Sequence, residues 1–397
     1  MNDTVGVVST FQTPYRSNHP DVTFVEQIQQ AATGVLHAAG MRPDDIDAIV
    51  FSLAPTTFMG IADADRWAID YAFGTGKPTI RVHTGGATGG SAVHAAYALV
   101  RSGLYKSVMI VGADRVADTP DAQEVLNLIF DPFYERDVPL STNTVTGLIC
   151  SRWMAQHNVT QEDLARVTVR QRSNALKHPI AHLKGQITVD DVMNSPMISY
   201  PVKLFDICPR SSGSAAMIVG DQSVLDEYQT RPAFINGIGS ISDTYWLGDR
   251  MVPSTETEFF GYELLKLAGK QCYAHAQIND PFNEIQVAEL YDPYTYMNYA
   301  QLEALGFCSP GKAARYEDEG AWHIDGGGVA VCPSGGTLCS NAISVAGLAR
   351  CIDAANQVMG TAGEIQVSGV RNAVANSNGG TWQFANVTVF GDDHVDS

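Results

Sequence analysis

The sequence predicts an α/β protein built from two similar halves, and two observations lead there. Apolar strands alternate with amphipathic helices from the N-terminus onward, and the pattern returns in the second half of the chain. Val5–Ser9 reads as the first strand. Thr23-x-x-Glu26 has the form of a capping box, and Val25, Ile28, Ala32, Val35 and Ala39 follow at helical spacing. Gly40 and Pro43 turn the chain into an apolar strand at Ile46–Phe51. A short strand ending near Val82, a glycine-rich turn, a helix over Ser91–Ser102 and a strand at Val108–Gly112 come next. This alternation predicts a largely parallel sheet covered on both faces.

The middle of the chain breaks the rhythm. A helix near Gly147–Gln156 precedes a second one capped by Thr160, and Arg170, Arg172, Lys177 and Lys184 make the stretch locally basic. It reads as an insertion of loops and helices over the core, after which strands resume at Ala215–Gly220 and Ala233–Gly239. The repeat sets QAATGVLHAAGMRPDDIDAIVF (30–51) beside LAGKQCYAHAQINDPFNEIQVAELY (267–291). Each is followed by a glycine-rich turn entering a helix, HTGGATGGSAVHAAYAL (83–99) and PSGGTLCSNAISVAGLARCID (333–353). Two such halves suggest stacked sheets related by a pseudo-dyad. The expected organisation is a first half over 1–120 completed by about 205–260, an inserted region over 121–204, and a second half over 261–397.

Composition narrows the function classes. The 397 residues are 45% hydrophobic and 17% charged, with 36 glycines, as in a soluble globular chain. No apolar stretch is long enough to span a bilayer, and the N-terminus lacks a secretory pattern, so a cytoplasmic location is expected. Against 43 acidic residues stand 25 basic ones, a net charge of −18 that argues against nucleic acid. An anionic small molecule stays possible, because a few cations or a helix N-terminus can hold a phosphate. Seven scattered cysteines without a CxxC pair read as reduced thiols, and no metal site is expected.

Several blocks in order, including HTGGATGGSA, VTQEDLARVTVRQRSNALKHP, ITVDDVMNSPMISYPVKLFDICPRSSGSAAMIV, ELYDPYTYMNYAQLEALGFCSPGKA and PSGGTLCSNAISVAGLARCIDAANQVMG, resemble the thiolase superfamily, in the branch near sterol-carrier-protein-x thiolases. The likeness covers nearly the whole chain. It implies a five-layered αβαβα thiolase fold, a homodimer along a central strand, and acyl-CoA entering beneath the inserted loops. It also implies, by analogy with some relatives, a small OB-fold, zinc-ribbon partner subunit. No permanently bound cofactor is expected; a CoA thioester is the substrate.

The site positions depart from the family pattern. The nucleophilic cysteine position matches Gly86, and the histidine of the second motif matches Asn341 in Cys339-Ser340-Asn341-Ala342. Tyr291, in Tyr291-Asp292-Pro293-Tyr294, stands at the asparagine of the third motif. The late cysteine turn reads Asn376-Ser377-Asn378-Gly379-Gly380, without a cysteine. Oxyanion donors therefore remain, while the thiols are absent. That pattern weakens an acyl-enzyme route and is compatible with aldol or retro-aldol chemistry on a CoA thioester, which needs a base and enolate stabilisation. The expected catalytic residues are Tyr291, Asn341, His83 as base, and Asp292. Gly86, Gly379 and Gly380 would present backbone N–H groups, and Lys184 would contact phosphate. Cys332 and Cys339 are candidates for a displaced nucleophile but read more readily as inert packing, as does Cys208.

Two other readings stay open on sequence. Gly85-x-Ala87-x-x-Gly90 with the later Asp114 has the outline of a dinucleotide fingerprint, which the repeat opposes. A non-catalytic thiolase-like subunit that binds acyl-CoA or a partner enzyme would also show missing thiols.

Overall fold

The computed structural model describes residues 4–53, 56–228, 231–251 and 262–395. The first half contributes β1 (Val5–Gln12), β2 (Ala48–Ser52), β3 (Thr79–Val82), β4 (Ser107–Arg115) and β5 (Ser212–Asp221). The second contributes β6 (Ala233–Ser242), β7 (Val287–Glu289), β8 (Ala330–Val331), β9 (Asn372–Gly379) and β10 (Phe384–Gly391). Their order is β8-β7-β9-β10-β6-β1-β5-β4-β2-β3. In the first half β2 is parallel to β3 and β4, and β5 is antiparallel to β4 and β1. The second half repeats this plan: β7 is parallel to β8 and β9, and β10 is antiparallel to β9 and β6. The halves meet where Gly6 and Val7 of β1 face Phe234 and Ala233 of β6.

The sheet is therefore mixed, which corrects the expectation of a largely parallel one. The physical reason is visible in β5, all ten residues of which are buried although both its neighbours run antiparallel. A strand covered on both faces loses the in–out alternation that normally marks an antiparallel strand. β6, which the sequence reading grouped with the first half, pairs along its length with β10 of the second.

Alternation along the strands sorts side chains into layers. Ile49 and Phe51 of β2, with Met109 and Val111 of β4, face outward onto helix α1 (Phe24–Ala39). Val50, Val108 and Ile110 face inward, where they meet helices α2 (Thr88–Arg101) and, late in the chain, Ile343–Met359. Val287, Ala373 and Ala375 reach the same two helices from the other half. Ala288, Val374, Val387 and Val389 point away into a cluster with Leu265, Ala268 and Cys272 of helix Tyr262–Ala276. Five layers result: helix, sheet, paired helices, sheet, helix.

The central pair approaches closely because it meets on glycine. A Cβ at Gly89 would run into the backbone of Gly347 and Leu348, and one at Gly347 would stand 3.1 Å from the nitrogen of Gly90. The inserted region supplies α3 (Thr142–His157), α4 (Gln161–Ala175) and the short helix Ala122–Asn127. Ser141 caps α3 and Thr160 caps α4, each through its hydroxyl. The remaining long helices are α5 (Tyr262–Ala276), α6 (Thr295–Ala304) and α7 (Ile343–Met359). Among the described residues, no helix is long and apolar enough to cross a membrane.

Candidate active site

A cavity of about 490 Å³ opens where the C-terminal ends of β3, β7 and β9 converge beneath the inserted region. After β3 the chain passes through His83 into the turn Thr84–Gly86 and then α2. Thr88 holds that turn, its Oγ1 accepting from Thr84 N at 2.9 Å and donating to Gly85 O at 2.6 Å. Gly379 lies against it so closely that a Cβ there would collide with Thr84 O. Both turns are thus restricted to glycine by their mutual approach.

Tyr291 leaves the end of β7 with its backbone fixed on both sides. Its N–H donates to Asn376 Oδ1 at 2.9 Å, and its carbonyl accepts from Gln301 Nε2 at 2.6 Å. The phenol is buried, and its hydroxyl has no hydrogen-bond partner among the described residues. Burial drives its pKa far above the usual tyrosine value, so it stays a neutral donor. A Cβ on Gly86 would stand 2.5 Å from this hydroxyl and 2.6 Å from Asn378 O. The Tyr291 phenol fills the space into which a side chain at position 86 would project.

Asn341 sits just before α7. Its N–H donates to Ser211 Oγ at 3.0 Å, its carbonyl accepts from Ser211 N at 3.1 Å, and its amide nitrogen lies 3.0 Å from Cys208 Sγ. Its Oδ1 is buried and unpartnered. Burial pushes the Cys208 thiol up to about 12, so it carries a proton to donate. Asn378, 3% exposed, has neither amide atom paired. Two buried asparagines with unspent hydrogen-bonding capacity thus line the same cavity as Tyr291.

The remaining predicted residues separate. His83 stands at the solvent-facing rim of the cavity, and partial withdrawal from water together with Arg81 lowers its pKa, leaving a neutral imidazole. Asp292 is fully buried and does not line the cavity. It accepts from Gln171, from Asn298 Nδ2 at 2.8 Å and from Thr337 N at 3.2 Å, which fixes the chain behind Tyr291. Lys184 donates to the carbonyls of His178 and Pro179 in its own loop, away from the cavity wall. Cys332 and Cys339 are wholly buried outside the cavity, and burial raises both thiol pKa values.

The sequence reading missed the other side of the site. Tyr294 lines the cavity and donates from its hydroxyl to Asn143 Oδ1 at 2.8 Å. Val125, Leu126, Leu128 and Ile129 of the inserted region form an apolar wall. Among the described residues, no Asp, Glu, Lys or Arg lines the cavity. Developing negative charge would therefore be met by neutral dipoles in a low-dielectric space, where each is worth more than in water.

Comparison with known proteins bears on this arrangement. A family model described as thiolase, N-terminal domain, matches residues 5–194, and one described as thiolase C-terminal domain-like matches 250–392. The chain belongs to the thiolase superfamily. Among curated relatives, an acetyl-CoA acetyltransferase of Methanothermobacter thermautotrophicus is 28% identical over 97% of this chain and 99% of its own. A 17-hydroxy-3-oxo-4-pregnene-20-carboxyl-CoA lyase of Mycobacterium tuberculosis is 29% identical over 79% of this chain and 82% of its own. The solved Ltp2-ChsH2(DUF35) aldolase superposes with a TM-score of 0.83 at 24% identity, over 99% of this chain and 98% of that one. A monomeric SCP2-thiolase-like protein type 1 from Mycobacterium smegmatis gives a TM-score of 0.72 at 14% identity, over 100% of this chain and 78% of that one. These structural likenesses establish the fold of this thiolase-like chain.

Proposed function

We propose that this thiolase-like protein makes or breaks a carbon–carbon bond in a CoA thioester by aldol chemistry, without an acyl-enzyme. The observation that carries this reading is the Tyr291 hydroxyl beside Gly86, which puts a phenol donor in the space a nucleophile at position 86 would need. In the cleavage direction a β-hydroxyacyl thioester gives its hydroxyl proton to a base, and the Cα–Cβ bond breaks. A carbonyl compound leaves, and the electron pair collects as an enolate on the thioester oxygen. Reprotonation at Cα gives the shorter acyl-CoA. His83, neutral at the rim, serves as the base, and Tyr291, Asn341 and Asn378 stabilise the enolate oxygen. Asp292 acts through position only, holding the segment that carries Tyr291.

The lyase and aldolase names among the relatives support the reaction type; the acetyltransferase name supports the thioester. The test is to supply purified protein with β-hydroxyacyl-CoA thioesters, together with any small partner subunit. The expected products are a shorter acyl-CoA and a free aldehyde or ketone. Stoichiometric binding with no product, partner included, would favour the non-catalytic subunit.

A homodimer belongs to the same proposal. β3 ends the sheet order, and its residues Thr79 and Ile80 are exposed, leaving an open edge that a second copy would cover. Sedimentation should give twice the chain mass at micromolar concentration; a stable monomer there would refute the dimer.

A further inference from the structure

Tyr291 and Tyr294 lie two and five residues beyond the end of β7 and line one cavity, but their hydroxyls are treated differently. Tyr291 has no partner among the described residues. Tyr294 is enclosed by the first turn of α3, where Asn143 accepts its proton at 2.8 Å and the Thr142 and Thr146 hydroxyls lie nearby on the cavity wall. The direction of the Tyr294 bond is set from outside the cavity. Asn143 Nδ2 donates to Gln123 Oε1 at 3.3 Å, and Gln123 Nε2 donates to Asn127 Oδ1 and Thr142 Oγ1, both at 2.9 Å. With its nitrogen engaged by Gln123, Asn143 presents Tyr294 with an oxygen, which only accepts.

We infer that Gln123 and Asn143 turn the Tyr294 proton away from the cavity, so that Tyr294 offers the substrate an acceptor and selects a hydroxyacyl over a ketoacyl thioester. This rests on the thioester reading above and refines it. A β-hydroxyl can donate to the phenol oxygen; a β-keto oxygen meets lone pair against lone pair. The Thr142 and Thr146 hydroxyls are rotors and can yield the acceptor position, whereas the Asn143 oxygen cannot become a donor. Rotation about the substrate C–O bond then turns its proton toward the base. Asn143 and Gln123 are positioning residues, and both lie on the inserted region rather than on the sheet.

The experiment is calorimetric titration of the full-length protein with 3-hydroxybutyryl-CoA and with acetoacetyl-CoA, for wild type, Asn143→Ala and Asn143→Asp. The wild type should bind the hydroxy thioester about tenfold more tightly, the worth of one hydrogen bond gained against one lone-pair clash. Asn143→Ala frees the phenol proton to donate, so the preference should vanish or invert. Asn143→Asp keeps an acceptor opposite Tyr294 and should retain the preference. An unchanged Kd ratio in a folded Asn143→Ala would overturn the inference while leaving the aldol reading intact. Failure of the wild type to bind either thioester would overturn both. Because binding is read rather than turnover, a loss of catalysis cannot mimic the expected result.

Discussion

Tyr291→Phe is expected to slow cleavage of β-hydroxyacyl-CoA by about 10²–10³, the usual consequence of deleting one donor from an oxyanion site. The substitution keeps the ring, which is 6% exposed and packed beside Gly86, and removes only the hydroxyl. That hydroxyl has no partner among the described residues, so no buried group is left unsatisfied and the urea midpoint should be unchanged. The loss should appear in kcat more than in KM, because the donor is worth most when charge develops on the thioester oxygen. Asn341→Ala should act in the same direction. It should also loosen the residue's turn, since the amide contacts Cys208. Steady-state kinetics on both variants check this, and unchanged turnover in both would remove the two residues from the mechanism.

Arg350→Met should cost about 3–5 kcal/mol of stability, the typical result of removing one partner from a buried ion pair. Arg350 is 2% exposed and joins the central helix α7 to the end of β7. Its Nη1 bonds Glu289 at 2.9 Å and Ser334 Oγ at 2.7 Å, and its Nη2 bonds Asp353 at 2.8 Å. Methionine fills most of the volume but leaves Glu289, which is wholly buried, without a counter-ion. Burial already holds the Glu289 pKa above its ordinary value, with Arg350 pulling it down and Asp353 pushing it up. Removing the cation raises it further. A carboxyl whose folded pKa is raised loses stability as pH climbs from its unfolded value through its folded one. The deficit of Arg350→Met should therefore be smaller at pH 5 than at pH 8, and adding Glu289→Gln should recover part of it. Denaturant titrations at both pH values measure this; a deficit that grows toward low pH would contradict the account.

Much of the architecture was legible because local signals agree with the global fold. The capping box at Thr23 and Glu26 forms as written, with Thr23 N donating to Glu26 Oε2 at 2.8 Å. The repeat is real at the level of topology, since β2 and β7 occupy equivalent places in the two halves. Strand direction was not legible. In a layered fold β5 is buried on both faces and carries the small, apolar run that a parallel strand would.

At the site, the sequence led to Gly86, Tyr291, Asn341, Gly379 and Gly380 through their place in glycine-rich or strand-end motifs, and all five line one cavity. It gave no hint of Asn143 or Gln123. The contact of Asn143 with Tyr294 joins residues 151 apart, Gln123 acts on it only through Asn143, and both depend on how the inserted region folds over the sheet. Asp292 shows the opposite limit: a carboxylate at a strand end signals a ligand crevice, yet this one is consumed by Gln171, Asn298 and Thr337. Tyr294 stood in the quoted motif; its distinguishing feature, a hydroxyl already donated to Asn143, exists only in three dimensions.

The claim that carbon–carbon chemistry proceeds here without an acyl-enzyme is tested most directly by intact-protein mass spectrometry during turnover of a β-hydroxyacyl-CoA. Cys208 is the cysteine that lines the cavity, and its thiol is held protonated by burial, with a pKa pushed up to about 12. The expected result is a shorter acyl-CoA accumulating while the protein keeps its unmodified mass throughout the time course. A kinetically competent acyl adduct on Cys208, or on Cys332 or Cys339, would contradict it and restore a covalent mechanism with a relocated thiol.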